Sequence, residues 1–328
     1  MNVREAFEEF DEALKLDPRE RQEAIDLHHQ IRAVLAKAGI CTHAILQGSF
    51  ARKTMIAPLR DIDMIGFLSE EHRHLMTTPG GVAKAMDLIE DALRDVFPLA
   101  AYERSRHAIK VDFPELGFIF DLVPAFERDE SDLIDIANLD ADTWDESNTR
   151  VLIEVVGERN AVCEGRFIHQ VRMIKHWARL SLPGLFGLYR ESASFDGIKG
   201  PADHARAVSD ALAALELGLD LALQYGPTGG DNLYLKLEPG VATSALQNVR
   251  VARQKAEEAI ELEAAGDNEA ALGIWYSIFG DPFPKPHIQT VDEAFTKSLK
   301  GGLTTTGMAT ASSAARVSTP PVRPWRPQ

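Results

Sequence analysis

The residues able to do chemistry concentrate in two apolar segments. Asp61 and Asp63 lie two positions apart in DIDMIGFL, a run rich in branched side chains that reads as a strand. Side chains at i and i+2 of a strand point to one face. Asp61 and Asp63 therefore project together, while Ile62 and Met64 face the opposite side. Two carboxylates that close repel unless a positive charge lies between them. A hard divalent cation with oxygen ligands, Mg2+ above all, answers that need. Asp121 stands in a second strongly apolar strand, FIFDLVPAF, where a carboxylate without a partner is destabilising. A neighbouring strand that brings Asp121 beside the pair would complete a three-carboxylate site for two metal ions.

Gln47-Gly48-Ser49 precedes the pair and supplies the other half of such a site. Gly48 permits close backbone approach, and the N–H groups of the turn with the Ser49 hydroxyl can hold phosphate oxygens. Downstream, Arg172 and Lys175 are three apart on a helical segment and share a face. Either can reach into a cleft and neutralise a triphosphate. Singly, each piece is common: Gly-Ser makes turns, Asp-x-Asp caps or edges, a lysine usually lies at the surface and Trp177 in a core. The ordered combination is far more specific than its parts.

These residues need elements to position them. The first 40 residues read as helix, with Asp17 as a cap, Pro18 in the first helical position and Gly39 as the stop. HAILQ forms a short strand running into Gly48-Ser49, and residues 81–97 carry helical apolar spacing. Two more strands, 107–113 and 117–126, are joined by Pro114-Glu115-Leu116-Gly117. Strands with interspersed helices predict a mixed α/β domain. After about residue 150 the pattern turns helical, over 151–157, 163–182, 202–224, 241–265 and 268–279. From residue 296 the chain is Thr, Ser, Ala, Gly and Pro, a composition that cannot bury a core.

The 328 residues suffice for two domains. Lys plus Arg number 35 against 50 Asp plus Glu, a net charge of −15; the last acid is Glu293 and five basic residues follow it, leaving residues 1–295 at −20. So acidic a body repels long polyphosphates and argues against strong nucleic-acid binding. Two cysteines, Cys41 and Cys163, are too few for a disulfide framework or a four-sulfur zinc site. With no apolar run of membrane-spanning length and an acidic amphipathic start, the expected location is cytoplasmic, away from membranes.

Taken in order, QGSFARKT, DIDMIGFL, FDLVPAF and VRMIKHW resemble the nucleotidyltransferase superfamily, whose pattern is Gly-Ser, a helical spacer, Asp-x-Asp on a strand and a later strand Asp. Within it they look like the cyclic GMP-AMP synthase/DncV-like branch, bacterial relatives of oligoadenylate synthase. There the strand acid is commonly followed by Leu-Val-Pro-Ala, as at 122–125, and GDNLYLKL and IWYSIFGDPFP are similar to that branch's second domain. The resemblance spans residues 40–285.

It implies an α+β protein: a polymerase beta-like mixed-sheet catalytic lobe with amino-terminal helices over 1–155, a helical second lobe over 156–295, and a disordered tail over 296–328. It further implies an enzyme that joins nucleoside triphosphates into a cyclic oligonucleotide, a signal in anti-phage defence. Asp61 and Asp63 would bind two Mg2+ ions and Asp121 one of them, with Mn2+ an acceptable substitute. Gln47, Gly48 and Ser49 would contact the donor nucleotide, Lys175 its triphosphate, and Asn232 a nucleotide as well. The family's phosphate-contacting serine has three competitors here, Ser181, Ser192 and Ser194, because LPGLFGLYRES departs from the pattern. Expected partners are nucleoside triphosphates and a protein activator or a partner that modifies the tail, with a plain solvated tail as the simpler reading of that segment. Linear oligonucleotide synthesis, nucleotidylation of another acceptor, and a catalytically dead scaffold are the alternatives.

Overall fold

Asp61 to Leu68 forms a central strand in the computed structural model, which describes residues 1–59, 61–129 and 131–286. The chain opens with α1 (Val3–Leu14) and α2 (Pro18–Lys37), followed by β1 (Cys41–Leu46), the one-turn helix α3 (Gly48–Ala51) and β2 (Asp61–Leu68). Helix α4 (Gly81–Val96) leads to β3 (Ala101–Arg104), β4 (Ile109–Phe113), β5 (Phe118–Glu127), β6 (Ile134–Asn138) and β7 (Thr143–Ser147). The rest is helical: α5 (Thr149–Val162), α6 (Phe167–Ser181), α7 (Gly187–Gly197), α8 (His204–Asp220), α9 (Val241–Ala264) and α10 (Asn268–Phe279).

The sheet runs β1-β2-β5-β4-β3, with β6 and β7 continuing from the end of β5. Among the described residues β2 and β5 pair parallel and the other pairs are antiparallel. This is the expected mixed sheet followed by a helical portion. One sheet face is sealed by α2 and α4, whose Ile31, Leu35, Met86 and Ile89 share a core with Ile62, Met64, Phe120 and Leu122. The capping expected for α2 is present: Pro18 opens the helix and the Asp17 carboxylate accepts the Arg19 N–H at 2.7 Å.

Helix α1 does not share that core. Its Phe7 and Phe10 pack edge-on or tilted against Trp275, Phe279 and Phe283, with ring centroids 4.7–5.8 Å apart. The beginning of the chain thus completes the core of the carboxyl-terminal helices. Both cysteines are free and buried, and no helix among the described residues is long and apolar enough to cross a membrane. The tail expected from 296 lies outside the described residues.

Candidate active site

Strand pairing sets the three acids. In the parallel β2–β5 register Asp63 faces Asp121 and Asp61 faces Ile119. Ile62, Met64, Phe120 and Leu122 are fully buried against the helices, so alternation sends Asp61, Asp63 and Asp121 to the other face. The β4–β5 register sets Lys110 opposite Asp121. Burial, then the charges of Asp121 and Asp61, push the Asp63 carboxyl up to about 6, against the opposing pull of Arg52 and Lys175. Burial also raises Asp121, with Lys110 opposing and Asp61 adding to it.

The Asp121 Oδ1 is buried without a hydrogen-bond partner. Three oxygen-donor side chains on one face, Asp63 and Asp121 with their charged forms disfavoured and Asp121 also with an orphaned oxygen, fit a hard divalent cation. Among the described residues no three acidic, histidine or cysteine side chains are already drawn into a metal cage. The fit therefore rests on donor chemistry and shared face.

The Gly-Ser turn closes on this pair. The Gln47 N–H donates to the Asp63 carbonyl at 2.7 Å, which carries the chain from β1 straight over β2. Gly48 then takes φ +62°, and a Cβ there would stand 1.6 Å from Asp63 Oδ2. Only glycine fits. Ser49 follows in the first turn of α3, where backbone N–H groups lack intrahelical acceptors. The Gln47 carboxamide is buried with neither its oxygen nor its nitrogen bonded, the state of a group that awaits a ligand.

Lys175 and Arg172 part company, contrary to the shared face expected from their spacing. Lys175 Nζ donates to Glu191 Oε1 at 2.9 Å. Arg172 instead turns to α1, 3.4 Å from Asp11 Oδ1 and 2.8 Å from His169 Nδ1. Both are buried, so each must take the nearest counter-charge, and these lie on different neighbours. Trp177 lies in the helical core.

Of the three candidate serines, Ser192 and Ser194 donate within α7 to the Leu188 and Arg190 carbonyls, and Ser181 ends α6. Asn232 also has a task of its own. Its Oδ1 accepts the Gln224 and Tyr234 N–H groups and its Nδ2 donates to the Ala222 carbonyl. Those bonds hold the 222–234 turn together and take up the carboxamide expected to meet a nucleotide. Sequence reasoning did not single out Arg52, Thr54, Lys110 or Glu191. Arg52 and Thr54 lie inside QGSFARKT and Lys110 follows from the β4 register, but nothing in the sequence marks Glu191.

Comparison with known proteins adds a likeness to a family. Residues 1–160 match the Second Messenger Oligonucleotide or Dinucleotide Synthetase (SMODS) domain. A probable cyclic nucleotide synthase of Bacillus cereus (strain VD146) is 23% identical over 268 residues, covering 72% of this chain and 81% of that protein. Among solved structures, CdnC of E. coli MS115-1 in complex with HORMA-deltaN aligns with TM-score 0.65 at 16% identity, over 85% of this chain and 96% of that one. The Vibrio cholerae cyclic AMP-GMP synthase DncV, bound to a linear intermediate, aligns with TM-score 0.65 at 13% identity, over 85% and 95%. These structural likenesses establish a shared fold.

Proposed function

We propose that the chain, whose residues 1–160 match a second-messenger synthetase domain, is a nucleotidyltransferase that condenses nucleoside triphosphates into a cyclic di- or trinucleotide in anti-phage (CBASS) signalling. The observation that carries this reading is the register of Asp63 against Asp121, with the Gly48 backbone packed on the Asp63 carboxylate. Asp61, Asp63 and Asp121 would hold two Mg2+ ions, with Mn2+ able to replace them. When bound, such ions stabilise charge on the leaving pyrophosphate and lower the pKa of an acceptor hydroxyl.

The remaining chemistry belongs to the chain. The Gly48-Ser49 turn and the unbonded Gln47 carboxamide bind the donor nucleotide beside Asp63. Lys175 and Arg52, the two cations acting on Asp63, orient the triphosphate for in-line displacement. Asp121, whose Oδ1 is free of protein partners, is placed to assist removal of the acceptor proton. Relatives captured with ATP and with a linear intermediate support triphosphates as substrates, and the HORMA complex supports a protein activator.

The test is incubation with all four nucleoside triphosphates and Mg2+ or Mn2+, then phosphatase treatment and mass spectrometry. A phosphatase-resistant cyclic product is expected, absent from Asp61→Asn/Asp63→Asn and from Asp121→Asn. A linear product would replace cyclisation with chain extension. Synthesis retained in Asp121→Asn would overturn the residue assignment.

A further inference from the structure

Glu191 is 4% exposed and lies on α7, yet it is the most heavily bonded acid near the candidate site. Its Oε1 accepts Lys175 Nζ at 2.9 Å and Thr54 Oγ1 at 2.8 Å, and its Oε2 accepts Arg52 Nε at 2.8 Å. Lys175 comes from α6, while Arg52 and Thr54 come from the segment after the Gly-Ser turn. That segment is tied back to the turn, because the Arg52 N–H donates to the Gly48 carbonyl and the Thr54 N–H to the Ser49 carbonyl. One carboxylate therefore joins the helical portion to the phosphate-binding turn. The side chains of Arg52, Lys175 and Glu191 are all at most about one-tenth exposed. Arg52 uses only Nε on Glu191, which leaves its outer nitrogens for another anion.

We propose that Glu191 is the positioning residue of the triphosphate site, fixing Lys175, Arg52 and the Gly48-Ser49 turn in the geometry a triphosphate requires before it binds. The inference rests on the functional reading above. Its physical basis is the buried counter-charge. Two cations held out of water need an acid to keep them charged and in place. Glu191 stays ionised there: burial alone would raise its carboxyl, but Lys175 and Arg52 bring it down to about 2. Both cations also act on Asp63, so the buried acid and the catalytic ones share them. Without Glu191, Lys175 and Arg52 would both lose the carboxylate that anchors them.

The sign of the effect separates this from two simpler roles. Removing one negative charge would by itself tighten triphosphate binding. A merely structural role would weaken all nucleotides alike. The experiment compares a non-hydrolysable ATP analogue with AMP by isothermal titration in Mg2+, using the full chain and Glu191→Gln. The ratio of AMP to triphosphate Kd is expected to fall about tenfold, the size of one charge-assisted hydrogen bond, with the AMP Kd unchanged.

Parallel loss for both ligands, an unchanged ratio or tighter triphosphate binding would each overturn the proposal. Should Glu191→Gln not fold, Glu191→Asp keeps the charge but is one methylene too short to hold all three donors. Its ratio is expected to fall about threefold, and a wild-type ratio there would overturn the proposal equally. A wild-type protein with no preference for the triphosphate would sink the functional reading first, and this inference with it.

Discussion

Asp63→Asn should make the metal-free protein more stable while abolishing turnover. The folded protein holds the Asp63 carboxyl at about 6, against 3.8 for the free group, through burial and the charges of Asp121 and Asp61. A raised carboxyl binds its proton more tightly folded than unfolded. Stability contributed by the group is therefore present at low pH and lost as pH rises from 3.8 through 6. A shift of about two units at ~1.4 kcal/mol each places the penalty near 3 kcal/mol at pH 7.5.

Asparagine keeps the shape and removes the charge, so the variant should recover most of that. In a chain of this size the gain corresponds to roughly 5 °C or more in Tm. Integrated linkage leaves about a third of the difference at pH 4.5. Scanning calorimetry in EDTA at both pH values reads the prediction directly, and added Mg2+ should raise the wild-type Tm and not the variant's. A variant no more stable than wild type at pH 7.5, or a gap that does not shrink on acidification, would refute the electrostatic account of this site.

Gly48→Ala puts a Cβ 1.6 Å from Asp63 Oδ2 at a φ of +62°, so turnover should vanish and Tm fall. The backbone alone contributes about 1–2 kcal/mol to that loss. Combined with Asp63→Ala, which removes the obstructing carboxylate, the damage should be less than additive in a double-mutant cycle; strict additivity would refute the contact. Asn232→Ala deprives three backbone groups of their partner and should cost about 1–3 kcal/mol of stability, seen as a lower Tm in calorimetry. An unchanged Tm with a raised KM for triphosphate would instead return Asn232 to the nucleotide.

The acids were legible because a strand leaves a period-two signature. Ile62 and Met64 had to be inside, which fixed the common face of Asp61 and Asp63 before any coordinates, while Asp121 was marked by the apolar strand around it. The parallel register that sets Asp63 against Asp121 was not in the pattern, since it depends on which strands become neighbours. Strands β6 and β7 went unread because Asp135, Asn138, Asp145 and Glu146 interrupt their alternation. Their polar groups are satisfied across the pair by Arg128 and Asn138. Helix α7 escaped for a related reason. Tyr189, Glu191, Ser192, Ala193 and Ser194 are all buried, and because three of these five are polar the inward positions show no 3.6-residue apolar period. Glu191 was invisible for the same cause: a buried acid is recognised by its partners, which arrive from residues 52, 54 and 175.

The acidic composition and a triphosphate substrate are compatible once charge is divided by distance. The −20 carried by residues 1–295 acts over a Debye length of about 8 Å at physiological salt. It therefore opposes a polyanion that must lie along a surface, such as a nucleic-acid strand. A single triphosphate enters a small site, where local groups outweigh the distant field. Here those groups are Lys175 and Arg52 on one side and Asp61, Asp63 and Asp121 on the other. Fixing the two cations with a buried acid avoids the exposed basic track that would also attract nucleic acid. The same arrangement makes cations scarce: of Lys175, Arg52 and Lys110, the first two are already engaged by Glu191, against three acids. Divalent ions are what would balance the carboxylates, so metal and triphosphate should bind with mutual dependence.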